Sequence, residues 1–181
     1  MASTSTGGPP PHFHLLGFPL RVGTGFLIFM ALLAFLPRPG PDAREFGLWL
    51  AGSIAVFTLI HELGHALVAR AYGAQAGIAL EFMAGYTSFR PTRPIGTTGS
   101  IAISVAGPLA HIVAGSAALF ALGGNPLDRG SLDTAATTAV WWAGPVIGVI
   151  NLIPVLPLDG GNVVSTLLEA LAPGKGRRWM V

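Results

Sequence analysis

Four apolar stretches, each approaching the roughly 20 residues that a helix needs to cross the hydrocarbon core of a bilayer, constrain this chain more than any other feature. The first runs from Gly23 to Leu36 and stops at Pro37, inside PRPGPD, where proline removes backbone donors and fixes φ. It is the shortest. The second covers about Phe46 to Tyr72 and contains His61 and His65, the third runs without a charge from about Gly99 to Leu122, and the fourth covers about Ala135 to Leu158. Only 10% of the residues are charged, against roughly one in four in a soluble domain, so lipid is the expected solvent. The sequence predicts an all-α membrane protein of about four transmembrane helices.

The segments between the stretches complete the expected layout. Residues 1–12 form a polar, Pro- and Gly-rich leader that cannot bury a core. Phe13 to Val22, with Gly17 and Pro19, reads as a short extended element leading into the first helix. GAQAGIALEFMAGYTSFRPTRP, between the second and third stretches, is too broken for a helix and predicts a small β-hairpin at the membrane surface. A short amphipathic helix is expected from near Asn162, ended by Pro173 and Gly174, with a basic tail over 173–181. The core thus occupies 13–172.

Charge sets the orientation, because cytoplasmic flanks are enriched in Lys and Arg. With the N-terminus inside, the inner segments hold Arg21, Arg70, Arg90, Arg93, Lys175, Arg177 and Arg178, and the outer ones hold Arg38, Arg44 and Arg129. Both termini are therefore expected in the cytoplasm, in a multi-pass protein of the cell membrane. A nucleic-acid partner would call for a basic stripe with aromatic residues, and the sequence has none. It contains no cysteine, so any metal must be held by nitrogen and oxygen.

HELGH, His61 to His65, sets two imidazoles four residues apart on one helical face, close enough to share a metal, with Glu62 beside them as a general base. Burying these groups in VFTLIHELGHALVA costs free energy unless something compensates, and ionisable residues inside a membrane span are functional candidates. A catalytic zinc takes three protein ligands and keeps one open position. Asp159 is the expected third ligand, as the acid at the end of the charge-free run from Thr134 to Leu158, within NLIPVLPLDGG. Its alternative role is an N-cap for the helix that follows.

HELGH in one span, AGP (Ala106, Gly107, Pro108) in the next, and N-x-x-P-x-x-P-L-D-G-G (Asn151 to Gly161) in a later one resemble the site-2 protease family of intramembrane zinc metalloproteases. The resemblance covers Phe13 to about Leu168. It implies Zn2+ bound by His61, His65 and Asp159, with Glu62 as the base and Asn151 positioning substrate or steadying the oxyanion. It also implies that Phe82 to Pro94 occupies the family's membrane-associated strand region, where an unwound substrate strand can pair. Many family members carry Asn or a small polar residue where this chain has His111, which is expected to be packed or hydrogen-bonded rather than a ligand. The chain ends soon after the aspartate motif, as expected of a minimal form without PDZ or CBS domain or of a chain lacking its C-terminal part.

The expected activity is hydrolysis of peptide bonds in or beside the transmembrane segments of membrane-anchored proteins, as in regulated intramembrane proteolysis. A non-catalytic membrane scaffold or binding protein and, after it, a metal transporter are the alternatives. The oligomeric state is not legible.

Overall fold

The computed structural model describes residues 13–82 and 84–172; the expected leader and basic tail lie outside the described residues, as do Pro173 and Gly174. The chain begins with β1 (Phe13–Leu15) and β2 (Phe18–Val22), then α1 (Thr24–Phe35) and α2 (Ala43–Ala71). Strands β3 (Ala74–Glu81) and β4 (Ala84–Pro91) precede α3 (Thr97–Ala121). The last part comprises α4 (Ala135–Trp141), a π turn (Trp142–Val146), α5 (Ile147–Ile150) and α6 (Asp159–Leu171). The described residues are mostly helical with one small sheet.

That sheet is larger than the expected hairpin. It has four strands in the order β1-β2-β3-β4. The β3–β4 hairpin stands where the sequence predicts it, and β2 lies parallel to β3, with Leu20 opposite Ile78 and Val22 opposite Leu80. Parallel neighbours require a crossover, which α1 and α2 supply. The single extended element expected over Phe13 to Val22 is a hairpin, because Leu16 and Gly17 both adopt positive φ (51° and 82°) and reverse the chain in two residues. Leu-Gly lacks the usual turn signature, and Pro19 argues against an inner strand, so the sequence conceals this turn.

Helices α2 and α3 are long and apolar enough to cross a membrane, at about 43 and 37 Å for 1.5 Å per residue. α1 is shorter, and the helical part of the fourth stretch ends at Ile150 rather than near Leu158. The reason is local: Pro154 and Pro157 cannot donate, and each biases the preceding residue away from the helical region. α4 starts with a reciprocal cap, the Thr134 hydroxyl accepting from the Thr137 amide at 3.0 Å. Pro145 lies within the π turn, where the wider winding accommodates its missing donor. The final helix begins at Asp159, three residues before the expected start.

Apolar side chains cover outer faces as well as the interior. α1 exposes Leu27, Ile28, Leu32 and Phe35 and buries only Phe26 and Ala34; α3 exposes Leu109, Val113 and Phe120. A helix apolar on all sides suits a lipid surround. Inside, Phe18, Leu20, Ile78 and Leu80 of the sheet pack on Phe26 of α1 and Ala66 of α2. Phe57, Leu119, Val140 and Ala143 join α2, α3, α4 and the π turn in a second core. The histidines of α2 lie between these two cores.

Candidate metal centre

The spacing of His61 and His65 brings both rings to the face of α2 that meets α3, where they are 7% and 8% exposed. The approach is tight. A Cβ added to Gly107 of α3 would fall onto the His65 ring, so the glycine of the AGP sequence makes room for the imidazole. His65 Nδ1 lies 2.7 Å from the Ile103 carbonyl oxygen. A carbonyl only accepts, so Nδ1 carries the hydrogen and Nε2 presents a bare lone pair.

Asp159 arrives from the other side of the molecule in sequence, at the first turn of α6. It does not cap that helix, whose N-cap is Leu158 with no side-chain bond. Its carboxylate instead points at the histidines: Oδ2 is 3.0 Å from His61 Nε2 and 3.4 Å from His65 Nε2, and the two Nε2 atoms are 3.1 Å apart. The chain over 151–158 folds back to hold it there, with a 2.8 Å bond from the Gly160 amide to the Asn151 carbonyl.

The triangle fits a small tetrahedral metal. Bonds of about 2.0–2.1 Å imply ligand atoms about 3.3 Å apart along a tetrahedral edge, against 3.0, 3.1 and 3.4 Å here. Two neutral imidazoles and one carboxylate form a donor set suited to zinc. The three residues leave a fourth direction for a further ligand. His61, His65 and Asp159 thus form a group able to hold a metal.

Glu62, 4% exposed, is held by the sheet. The Thr87 hydroxyl of β4 donates to Glu62 Oε2 at 2.7 Å and stands 3.0 Å from the Glu62 backbone carbonyl. At Gly85 a Cβ would come 2.6 Å from Glu62 Cγ, so only glycine lets the strand run this close. Asn151 donates from Nδ2 to the Ile147 carbonyl at 3.0 Å. His61, Glu62, His65, Asn151 and Asp159 all line one cavity of about 640 Å³, with β4, Ser100 and Ser104 of α3, and Asn162 and Thr166 of α6 as further walls.

All five site residues expected from the sequence therefore meet in one place. His111 donates from Nε2 to the Ala143 carbonyl at 2.7 Å, outside the triangle of His61, His65 and Asp159. Thr87 and Ile103 were not expected. One acts through a hydroxyl in a strand and the other through its backbone, and neither carries a residue-type signal. Trp141 ties the α3–α4 connection by donating to the Pro126 carbonyl at 3.0 Å, with Arg129 over its ring.

No family model matches the chain. A zinc metalloprotease of Methanocaldococcus jannaschii is 25% identical over 159 residues, covering 87% of this chain and 44% of the relative. A Synechocystis protein named as a candidate zinc metalloprotease is 27% identical, with 85% and 42% covered. A similarly named Mycobacterium tuberculosis protein is 29% identical, with 87% and 43% covered. The chain spans less than half the length of these curated relatives. Among solved structures, the site-2 protease of Methanocaldococcus jannaschii superposes with a TM-score of 0.66 at 24% identity, covering 93% of this chain and 76% of that one.

Proposed function

We propose that this chain, which has the fold and the ordered motifs of the site-2 protease family, is a zinc metalloendopeptidase that cleaves membrane-anchored proteins in or next to their transmembrane segments. The observation that carries this reading is the convergence of His61 Nε2, His65 Nε2 and Asp159 Oδ2 within 3.4 Å of one another, beside a buried carboxylate and inside an apolar helix pair. His61, His65 and Asp159 hold the metal. Zinc, when bound, supplies Lewis acidity toward the scissile carbonyl and lowers the pKa of water toward neutrality.

The remaining work falls to side chains of this chain. Glu62 takes the proton from the attacking water and returns it to the leaving amine. Thr87 keeps its carboxylate turned toward the cavity. Asn151 keeps one of its two amide hydrogens for the carbonyl oxygen of the substrate, since the other is used within its own helix. The free edge of β4, with Gly85, Tyr86, Thr87 and Phe89 along the cavity, receives an extended substrate segment by strand addition.

The four apolar stretches cross or enter the bilayer, with the sheet at the cytoplasmic face and both termini inside. Arg21, Arg70 and Arg90 gather at the sheet end, where Arg21 pairs with Glu81 at 2.8 Å, and Arg38, Arg44 and Arg129 lie at the opposite end. His61 and His65 sit about 15 and 9 Å from the last residue of α2 at 1.5 Å per residue. That is within the bilayer near the inner face. The setting suits regulated intramembrane proteolysis. Neither a non-catalytic scaffold nor a metal transporter gains support, since the base and ligands are all present and gathered toward one end.

The test is reconstitution of the full chain with a tagged single-span substrate, comparing the parent with Glu62→Gln. The variant is expected to retain zinc and lose roughly 10²–10⁴-fold in cleavage rate. Cleavage at the parental rate by the glutamine variant would overturn the mechanism.

A further inference from the structure

Two buried ring nitrogens close to the centre have no hydrogen-bond partner among the described residues: Nδ1 of His61 and Nδ1 of His111. They belong to neighbouring rings with centroids 5.5 Å apart and planes at 86°. Both residues are more than nine-tenths buried, at 7% and 3% exposed. Buried polar atoms are nearly always paired, so two unpaired ones on adjacent rings require a common cause.

The other nitrogen of each ring decides what its Nδ1 offers. His111 Nε2 faces the Ala143 carbonyl at 2.7 Å, so the hydrogen is on Nε2 and the neutral ring presents Nδ1 as an acceptor. His61 has the opposite sense. A ring that gives its Nε2 lone pair to a metal carries its hydrogen on Nδ1, and becomes a donor there. This step rests on the metal reading above. One ring then needs an acceptor, and the ring beside it has one to spare.

We propose that His111 is the outer positioning partner of His61, receiving the His61 Nδ1–H through one buried water and passing the link to the Ala143 carbonyl in the π turn. A bridging water is the proposed link because the two nitrogens make no direct hydrogen bond and together supply two polar partners for it. His65 has the simpler version, donating straight to the Ile103 carbonyl. Ile103, Gly107 and His111 follow one another at four-residue steps, so one stripe of α3 supports both imidazoles. Metal-ligating histidines generally donate their second N–H to such a partner, and its loss costs roughly 10–100-fold in metal affinity.

The experiment measures zinc affinity by chelator competition on the full chain in detergent for the parent, His111→Phe and His111→Asn, with thermal melts of the metal-free forms. Histidine tautomers are read by NMR on the isotope-labelled, zinc-loaded parent. Phenylalanine keeps a ring but no acceptor and is expected to weaken zinc roughly 10–100-fold. Asparagine retains an acceptor oxygen and is expected to recover most of that loss. The parent should show His61 protonated at Nδ1 and His111 at Nε2. Unchanged affinity in His111→Phe, equal losses in both variants, or a parental His111 protonated at Nδ1 would overturn the inference while leaving the metal site standing. The tautomer measurement needs no variant to fold. A parent that binds no zinc would overturn the metal reading itself.

Discussion

The two halves of the candidate centre are built in opposite ways. His61, Glu62 and His65 share two turns of an unbroken 29-residue helix, with α3 against one side and β4 against the other. Asp159 and Asn151 flank an irregular loop with two prolines and a cis peptide. Helical geometry alone brings the first three together. The other two reach the site only because the loop is folded back and bonded through the Gly160 amide to the Asn151 carbonyl. Only Asn151, Pro157 and Leu158 of this stretch line the cavity, while Ile153 and Val155 are exposed. The helix supplies spacing, and the loop supplies placement.

The largest test of this contrast is Asp159→Ala, which removes the candidate ligand that the loop places and leaves the helical pair intact. Zinc affinity measured by chelator competition is expected to fall by more than the roughly 10–100-fold that outer-partner changes cost. If two histidines alone bound zinc as tightly as the parent, the loop would have no part in the centre. Next in size is Asn151→Ala, expected to lower kcat by about 10²-fold with zinc content unchanged. Loss of zinc from that variant would make Asn151 a brace for the loop rather than a group acting on substrate.

The smallest effect probes the helical half. Thr87→Val removes the hydroxyl that holds Glu62, and a hydrogen bond to a charged group is worth about 1.5–3 kcal/mol. A roughly tenfold or greater fall in kcat, with zinc affinity unchanged and Thr87→Ser near the parent, is the expected result. Equal rates for valine and threonine would show that the helix positions its base without help from the sheet.

Much of the centre is legible in the order of residues alone. HELGH points to two candidate ligands and a candidate base because such roles depend on side-chain type and a four-residue step. Asp159 stands out because an acid beside a long apolar run is conspicuous. The N-terminal hairpin is concealed by Leu16 at a positive-φ position and by Pro19 in an inner strand. Thr87 is concealed for a different reason: a threonine in a strand has no distinctive pattern until the strand lies against Glu62. The fourth stretch reads as long enough to span because composition does not register where prolines end a helix.

By itself the sequence determined the lipid-suited composition, the paired imidazoles and their neighbouring base, since each follows from residue type and local periodicity. Only the tertiary structure decided that Asp159 faces those imidazoles instead of capping α6, that β4 grips Glu62, and that His111 stands beside His61. Those relations join residues 25 to 98 positions apart. They depend on how α3, the sheet and a proline-broken loop pack around α2, and no local rule encodes such distances.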